Sequence, residues 1–352
     1  MSTLFDPLKL GSLTLKNRLV MAPLTRSRAV GEGRIPNDLM VKYYEQRASA
    51  GLILTEATAV TPMGVGYAHT PGIWSKEQVQ GWKKITEAVH KKGGLIFMQL
   101  WHVGRISHPV FLNGKEPVAP SAIKPKGHVS LVRPITEYVT PRALETAEVK
   151  EIVQQYKIGA ANAKEAGFDG VELHAANGYL IDQFLQDSTN HRTDEYGGSI
   201  ENRAKFLLEI TDAVISVWGA DKVGVHLAPR RDSHDMGDSN PEKTFAYAAQ
   251  ELDKRKVAFI FTREYEGPDS ITPIIRKNYH GVLIVNEKMT KESAEKLISS
   301  KAADAVSFGK LFIANPDLPE RFKQNAPLNE PQPQTFYAEG ETGYTDYPFL
   351  KQ

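Results

Sequence analysis

The strongest constraint on the fold is a regular alternation between short apolar segments and longer amphipathic ones. Eight segments have the length and composition of buried strands, at residues 18–23, 51–56, 95–100, 170–174, 222–227, 257–261, 281–285 and 303–308. Helical patterns lie between them, for example at 148–166, 202–218 and 291–298. Eight strands that alternate with helices predict an α/β fold of the (β/α)8 TIM barrel type.

A doubly wound sheet is the other α/β architecture that such a pattern permits. It would normally carry a Gly-x-Gly-x-x-Gly loop directly after a strand, and the sequence contains no such motif. No low-complexity tract or linker-like change of composition divides the chain. The sequence therefore predicts a single TIM-barrel domain over residues 1–352.

One connection is longer than a barrel requires. Residues 102–141 follow the third predicted strand, and the segments 129–132 and 135–139 within them have the pattern of a small hairpin. A long loop after a barrel strand lies on the catalytic face and is usually functional. We interpret this insertion as a lid, and a surface hairpin without a catalytic role is the alternative.

Composition narrows the classes of function. The formal net charge is +1, and no apolar run approaches the ~18 residues that span a bilayer, so neither nucleic acid nor a membrane is an expected partner. The N-terminal residues lack the pattern of a signal peptide, which favours the cytoplasm. The absence of cysteine excludes disulfides, iron–sulfur clusters and thiolate zinc sites. The ten histidines show no metal-binding spacing, so no metal site is expected.

Polar residues gather where the predicted strands end, which is the face that carries the active site of a TIM barrel. They include Thr25, Glu56, Gln99, His174, His226, Arg263, Asn286 and Lys310. For a single buried histidine, a structural role with satisfied hydrogen bonds is the better explanation. A purely structural explanation becomes difficult when so many polar residues converge on one face.

The segment 174–179 is the most specific of these strand ends. Two alanines separate His174 from Asn177, and Gly178 permits a tight turn into a helix that begins at Tyr179. His174 and Asn177 could direct N–H donors at one oxygen that becomes negative during a reaction. Tyr179, whose reference pKa is near ~10, could donate a proton. A helix-entry turn with incidental polar groups explains the pattern equally well.

The Gly309-Lys310 pair follows the last predicted strand and precedes a short apolar segment. TIM barrels often bind phosphate with their last two loops, through backbone N–H groups at the start of a short helix. Asn286 would belong to the preceding loop of such a site. A solvated surface lysine is the alternative explanation of Lys310.

Several ordered motifs resemble those of the old yellow enzyme family. They lie at residues 17–26, 99–105, 174–180, 190–203 and 308–317, with a further match at 343–348, so the resemblance covers nearly the whole chain. The segments 226–230 and 234–238 are most similar to bacterial xenobiotic reductases, which include glycerol trinitrate and N-ethylmaleimide reductases.

This resemblance implies a non-covalent FMN across the barrel mouth, reduced by NADPH in a ping-pong reaction. The substrates would be small electrophiles: activated alkenes such as enones, maleimides and nitroalkenes, and nitro or nitroester xenobiotics. His174 and Asn177 would bind the substrate oxygen, and Tyr179 would donate the proton. Aromatic residues would surround the substrate, namely Tyr67, Trp101 and Tyr344. FMN would be held by Pro23, Thr25, Ala57, Gln99, His226, Arg263, Asn286, Gly309 and Lys310.

The chain departs from the family pattern at the flavin. His226 stands where arginine is common, and a histidine with a pKa near ~6.5 would be only partly charged at neutral pH. We therefore expect Arg263 to supply the positive charge, with Arg230 as the second candidate. Lys310 also replaces a common arginine, which turns a forked phosphate contact into a point charge.

Two other functions fit the sequence less well, a 2-hydroxy acid oxidase and a non-enzymatic flavin-binding protein. The first needs a histidine base with arginines that bind a carboxylate, and the second would not need the set of His174, Asn177 and Tyr179. We expect a monomer or a weak homo-oligomer.

Overall fold

The structure, a computed structural model, describes residues 2–230 and 233–351. Its strands are β1 Leu8–Leu10, β2 Leu13–Leu15, β3 Leu19–Met21, β4 Leu52–Leu54, β5 Thr58–Ala59, β6 Ile96–Trp101, β7 Val118–Ala119, β8 Arg142–Ala143, β9 Gly170–Ala175, β10 Val223–Leu227, β11 Phe259–Arg263, β12 Val282–Asn286 and β13 Ala305–Phe308. Its α-helices are α1 Asp38–Gln46, α2 Lys76–Lys91, α3 Thr146–Glu165, α4 Leu180–Leu185, α5 Ile200–Trp218, α6 Pro241–Arg255, α7 Thr272–Asn278, α8 Lys291–Ser299, α9 Lys310–Ala314 and α10 Leu318–Gln324.

Eight of these strands form a closed parallel barrel. They pair in the order β3, β4, β6, β9, β10, β11, β12 and β13, and β13 pairs back onto β3. Each predicted strand is present with its ends shifted by a few residues, so the predicted TIM barrel is confirmed. The helices that follow the strands cover the outside of the barrel.

The second helix illustrates why the amphipathic segments become helices. Ser75 and Gln78 form a capping box, in which each side chain accepts a hydrogen bond from the other residue's backbone N–H. The buried side recurs at helical spacing, with Val79, Trp82, Ile85 and Val89. A helix of this kind gains most of its stability by burying that apolar side against the barrel.

The lower part of the barrel interior is apolar and tightly packed. Phe97 of β6 and Phe259 of β11 meet inside with ring centroids 5.9 Å apart. A Cβ atom on Gly170 would lie 2.3 Å from the Phe97 ring, and one on Gly224 would lie 2.1 Å from the Phe259 ring. Glycine is therefore required on the neighbouring strands, because any side chain there would displace a phenylalanine.

The same strands become polar toward their carboxyl ends. Alternate residues of a strand point to the same side, so the inward positions after Phe97 and Gly170 are Gln99 and Glu172. Gln99 stands opposite Glu172 in the β6–β9 register, and His226 stands opposite His174 in the β10–β9 register. The register thus collects polar side chains from several strands at one end of the barrel.

A hairpin that the sequence analysis did not predict closes the opposite end. Strands β1 and β2 pair antiparallel, and Leu10 and Leu15 pack against inward residues such as Val20 and Ile284. The backbone N–H of Ser12 donates to Asp221, which precedes β10. The hairpin therefore buries the apolar floor of the barrel.

The long connection after β6 crosses the polar end. Strands β7 and β8 pair parallel within it, and the predicted hairpin is reduced to one antiparallel bridge between His128 and Glu137. Val129 and Tyr138 of this segment pack in one apolar cluster with Trp101. The insertion consequently covers aromatic residues at the carboxyl ends of the strands.

Two negative findings apply to residues 2–230 and 233–351. None of their helices is long and apolar enough to cross a membrane. None of their His, Asp and Glu side chains form a group of three or more that could bind a metal ion.

Candidate active site

The turn that follows β9 has the geometry that its sequence predicts. Asn177 has φ +57° and Gly178 has φ +78°, two successive left-handed residues of which asparagine and glycine are the most tolerant types. Helix α4 begins at Leu180 with Tyr179 as its N-cap residue. Asp182 accepts a hydrogen bond of 2.8 Å from the backbone N–H of Gly178, which fixes the turn to the first turn of the helix.

Aromatic rings surround this turn. The His174 and His226 rings stack in parallel with centroids 5.0 Å apart, and the edge of Tyr179 meets His174 at 5.0 Å. Trp101 meets Tyr179 at 5.0 Å in a T-shaped pair. The hydroxyls of Tyr67 and Tyr179 are 2.9 Å apart and share a hydrogen bond. Tyr67, Trp101, His174 and Tyr179 are therefore brought together.

A cavity of about 810 Å³ opens beside these rings at the carboxyl ends of the strands. Seven residues predicted for the site line it, which are Pro23, Asn177, His226, Arg263, Asn286, Gly309 and Lys310. Gln99 lies beside His226, Ala57 packs with Trp101, and Thr25 is half-buried two residues after Pro23. The sequence motifs that the chain separates by almost three hundred residues thus converge on one cavity.

The last two strands end as a phosphate site requires. Asn286 donates its side-chain N–H to the backbone oxygen of Ser307, 2.8 Å away, and so ties the end of β12 to β13. Gly309 is the N-cap of the short helix α9, and Lys310 is its first residue. This arrangement places backbone N–H groups and a lysine at the cavity wall.

A second and larger groove, of about 1060 Å³, lies at the amino ends of the strands. Its lining includes Lys16, Glu45 and Lys323 and none of the residues predicted for the site. Lys16 donates to the backbone oxygen of Ala48 at 2.6 Å, which is a structural contact between loops. We therefore place the site in the smaller cavity, where the polar strand ends converge.

Both active-site histidines are neutral. Burial, with a smaller contribution from the charge of Arg263, lowers the pKa of His174 to about 3. Burial also lowers the pKa of His226 well below its usual range, helped by His174 and Arg263. The expectation that His226 is partly charged is therefore wrong, because its buried position disfavours the imidazolium.

The protonated nitrogen of His226 follows from its neighbour. Gln99 Nε2 donates to Glu172 at 2.7 Å and lies 3.2 Å from His226 Nδ1. With the Gln99 amide in this orientation its N–H donates to His226 Nδ1, so the proton of the neutral imidazole is on Nε2. Burial raises the pKa of Glu172 to about 8, although the Gln99 hydrogen bond lowers it, so this carboxyl is largely protonated at neutral pH.

The two candidate arginines occupy different places. Arg263 lines the cavity and donates from Nη1 to Asn177 Oδ1 at 2.8 Å. Arg230 instead forms ion pairs with Glu264 at 3.2 Å and Asp269 at 2.9 Å, and lies over the Tyr265 ring. Arg230 therefore connects the loops after β10 and β11, and it does not line the cavity.

Tyr344 lies elsewhere than predicted. Its ring is fully buried and stacks on Tyr43 with centroids 4.1 Å apart, and the Arg28 guanidinium lies 4.6 Å from its centroid. These neighbours form a structural core cluster separate from Tyr67 and Trp101. The prediction of Tyr344 as a substrate-pocket residue is therefore wrong, because the 343–348 segment packs its first tyrosine inward against arginines.

Two residues that the sequence analysis did not assign to the site lie close to it. Tyr337 is half exposed and lies close enough to contribute to the raised pKa of both Tyr67 and Tyr179. His234 has Nδ1 2.6 Å from the backbone oxygen of Asn177 and Nε2 3.4 Å from the Tyr67 hydroxyl. Both residues lie in segments without regular structure, so no periodicity in the sequence could have found them.

A protein-family model described as the NADH:flavin oxidoreductase / NADH oxidase family matches residues 3–329. This match defines the class of the protein, a flavin-dependent oxidoreductase built on a TIM barrel. A probable flavin mononucleotide-dependent alkene reductase from Leishmania infantum is 46% identical over 99% of this chain and 97% of its own length. A putative 12-oxophytodienoate reductase 11 from Oryza sativa subsp. japonica is 45% identical over the same shares.

Solved structures agree with these relatives. Morphinone reductase in complex with tetrahydroNAD is 50% identical, with a TM-score of 0.96 over 100% of this chain and 98% of that structure. The old yellow enzyme homologue from Zymomonas mobilis is 45% identical, also with a TM-score of 0.96, over 99% of this chain and 100% of that structure. The chain belongs to the old yellow enzyme family of FMN-dependent oxidoreductases.

The site fits the cofactor of this family. Three buried polar atoms on the inward side of the barrel mouth have no hydrogen-bond partner in the part of the chain that the structure describes: His174 Nδ1, His226 Nε2 and Ser307 Oγ. Buried polar groups are rarely left unpaired in native proteins. An isoalloxazine ring, which carries several nitrogen and oxygen atoms on its edge, offers the partners that such groups need.

Proposed function

We propose that the protein is an NADPH-dependent ene-reductase that acts on enones, maleimides and nitroalkenes, and on nitro and nitroester xenobiotics. The observation that carries this proposal is that His174 packs against Tyr179 and stacks on His226, which lines the same cavity as Asn177. Two N–H donors and one phenol around a single point suit a substrate whose oxygen gains charge while its α-carbon gains a proton.

Each of these residues has a role that its environment supports. His174 stays neutral, so it offers an N–H without competing as an acid. Burial raises the pKa of Tyr179, so its hydroxyl stays protonated until a basic carbon forms nearby. Tyr67 holds that hydroxyl at 2.9 Å and keeps it inside the aromatic group.

The cofactor would be held by the residues that line the cavity. Pro23, Thr25, Ala57, Gln99 and His226 would contact the ring, and Asn286, Gly309 and Lys310 would hold the phosphate. Bound FMN, reduced by NADPH, would supply the hydride for the β-carbon of the alkene. Arg263 would supply the positive charge beside the ring, since the burial of His226 keeps that histidine neutral.

The insertion at 102–141 would act as a lid that keeps water from the aromatic residues, in a single functional domain. Substrates and partners would be small electrophiles, and the protein would be a monomer or a weak homo-oligomer. Light scattering of the purified protein would measure that state, and a tight complex of several subunits would contradict it.

The decisive experiment follows the reaction in the purified, yellow holoprotein. Anaerobic NADPH should bleach the flavin, and 2-cyclohexenone should restore its colour with formation of the saturated ketone. Glycerol trinitrate in place of the enone tests nitroester reduction, and NADH in place of NADPH tests the choice of reductant. Bleaching without re-oxidation by any of these acceptors would contradict the proposal.

A further inference from the structure

The backbone and the side-chain amide of Asn177 are both held in place, and the contact to the amide sets which way the amide points. Its backbone is left-handed, and its backbone oxygen lies 2.6 Å from His234 Nδ1. Its side-chain oxygen accepts a hydrogen bond of 2.8 Å from Arg263 Nη1. The backbone conformation and the His234 contact fix the position of the Asn177 backbone. The Arg263 contact determines which end of the side-chain amide faces the cavity.

The Arg263 contact has only one chemically possible orientation. A guanidinium group carries N–H donors and no acceptor, so the amide atom that faces it must be the oxygen. Asn177 Nδ2 must then point away from Arg263. Within the described residues Nδ2 has no hydrogen-bond partner, and Asn177 lines the cavity beside the His174 ring.

Arg263 is itself held in position. Its Nε forms an ion pair of 2.8 Å with Glu287 Oε2, and its Nη1 also donates to Ser233 Oγ at 3.0 Å. Arg263 ends β11, directly opposite Asn286 of β12 in the strand register. The guanidinium is thus fixed between a loop carboxylate and the asparagine.

We propose that Arg263 is a positioning residue that orients the Asn177 amide, so that its N–H group faces the substrate oxygen next to the N–H of His174. The inference rests on the proposed function, since it assumes that His174 and Asn177 bind that oxygen. A charged donor on the amide oxygen also polarises the amide and strengthens its N–H as a donor. Without Arg263 the amide could present its oxygen to the cavity, which would repel an oxyanion.

A double-mutant cycle tests this role. The probe is 4-cyanophenol, whose phenolate oxygen resembles an enolate oxygen, and its Kd is measured by equilibrium dialysis against the oxidised holoenzyme. We expect Asn177→Ala and Arg263→Met each to raise the Kd about 10-fold, the loss of one hydrogen bond to an anion. The double variant should bind no more weakly than Asn177→Ala alone.

The cycle separates an orienting role from a general charge effect. A charge that acts directly on the phenolate would weaken binding in the Asn177→Ala background as well, and that additive result would overturn the inference. Arg263→Met with unchanged affinity, while Asn177→Ala weakens binding, would overturn the inference and leave the proposed function intact. Unchanged affinity in Asn177→Ala would overturn both.

Two further variants guard against loss of fold. Arg263→Lys keeps a donor for the asparagine oxygen and should recover the affinity to within about 3-fold of the unmodified protein. Arg230→Met removes an arginine from the neighbouring loop, where it contacts Glu264 and not Asn177, and should change the Kd less than 2-fold. An effect of Arg230→Met as large as that of Arg263→Met would also count against the inference.

Discussion

Two clusters combine aromatic rings with nitrogen-bearing side chains, arginines in one and neutral histidines in the other, and they serve different purposes. The core cluster comprises Arg26, Arg28, Arg47, Tyr43 and Tyr344, and the site cluster comprises Tyr67, Trp101, His174, Tyr179 and His234. Both are rich in the residue types from which active sites are built. Their sequences alone do not tell them apart.

The difference lies in what the polar atoms bind. In the core cluster, Arg47 donates to the backbone oxygens of Phe312 and Ile313 at 2.8 and 2.7 Å, and its guanidinium carbon lies 3.8 Å from the Tyr43 ring centroid. In the site cluster, His174 Nδ1 remains without a partner among the described residues. The core cluster also leaves the Tyr43 and Tyr344 hydroxyls without a partner among the described residues, but these lie in closed packing away from the cavity. A buried polar atom indicates a ligand only where it is left open beside a cavity, whereas donors committed to backbone carbonyls indicate structure.

The largest effect is expected for a change in the site cluster that removes its proposed proton donor. Tyr179→Phe removes the proposed proton donor, so the re-oxidation of reduced holoenzyme by 2-cyclohexenone should slow by about 10²-fold or more. Bleaching by NADPH should change less than about 2-fold, because the hydride from NADPH does not need that proton. Stopped-flow absorbance measures both steps. An unchanged re-oxidation rate would remove Tyr179 from the mechanism.

A second variant probes the core cluster through stability. Arg47→Met leaves buried carbonyls without their charged donor, and burial is the main reason that the pKa of Arg47 is already lowered to about 10. We expect a loss of about 3 kcal/mol in the free energy of unfolding, measured by urea denaturation. The folded variant should retain its turnover within about 2-fold. A large loss of turnover at unchanged stability would mean that the core cluster also takes part in function.

A third prediction concerns Glu172, which lies beneath the site cluster. Its pKa rises from 4.5 to about 8 on folding because burial disfavours the carboxylate. The unfolded chain therefore loses this proton first, and stability should fall as the pH rises from about 4.5 to about 8. In Glu172→Gln that slope should be shallower by about 1 kcal/mol per pH unit, measured by urea unfolding at several pH values. Identical slopes would show that Glu172 is ionised throughout.

The smallest expected effect is that of Tyr344→Phe. In the residues that the structure describes, the Tyr344 hydroxyl has no hydrogen-bond partner. Its removal should change the free energy of unfolding by less than about 0.5 kcal/mol and leave the KM for 2-cyclohexenone unchanged. This variant is the matched control for Tyr179→Phe, since both remove one tyrosine hydroxyl. A several-fold increase in KM would indicate that Tyr344 contacts the substrate after all.

The sequence predicted the barrel because strand burial and helix amphipathicity are local patterns. It also predicted the turn at Asn177 and Gly178, since left-handed backbone restricts residue type strongly. It could not predict the neutrality of His226, which depends on burial by strands far away in the chain. Nor could it place the side chain of Tyr344, because that residue lies in an irregular segment whose path depends on tertiary contacts with Arg26 and Arg28.

The hairpin of β1 and β2 has a consequence for how reductant and acceptor reach the cavity. Leu10 and Leu15 close the apolar floor, so among the described residues the site cavity opens at the other end, on the side where the insertion at 102–141 lies. Reductant and acceptor would therefore enter the cavity through the same opening, and each product would have to leave before the next molecule could bind. Competition between NADPH and an abundant acceptor would then limit the turnover rate, and a faster hydride transfer would not remove this limit.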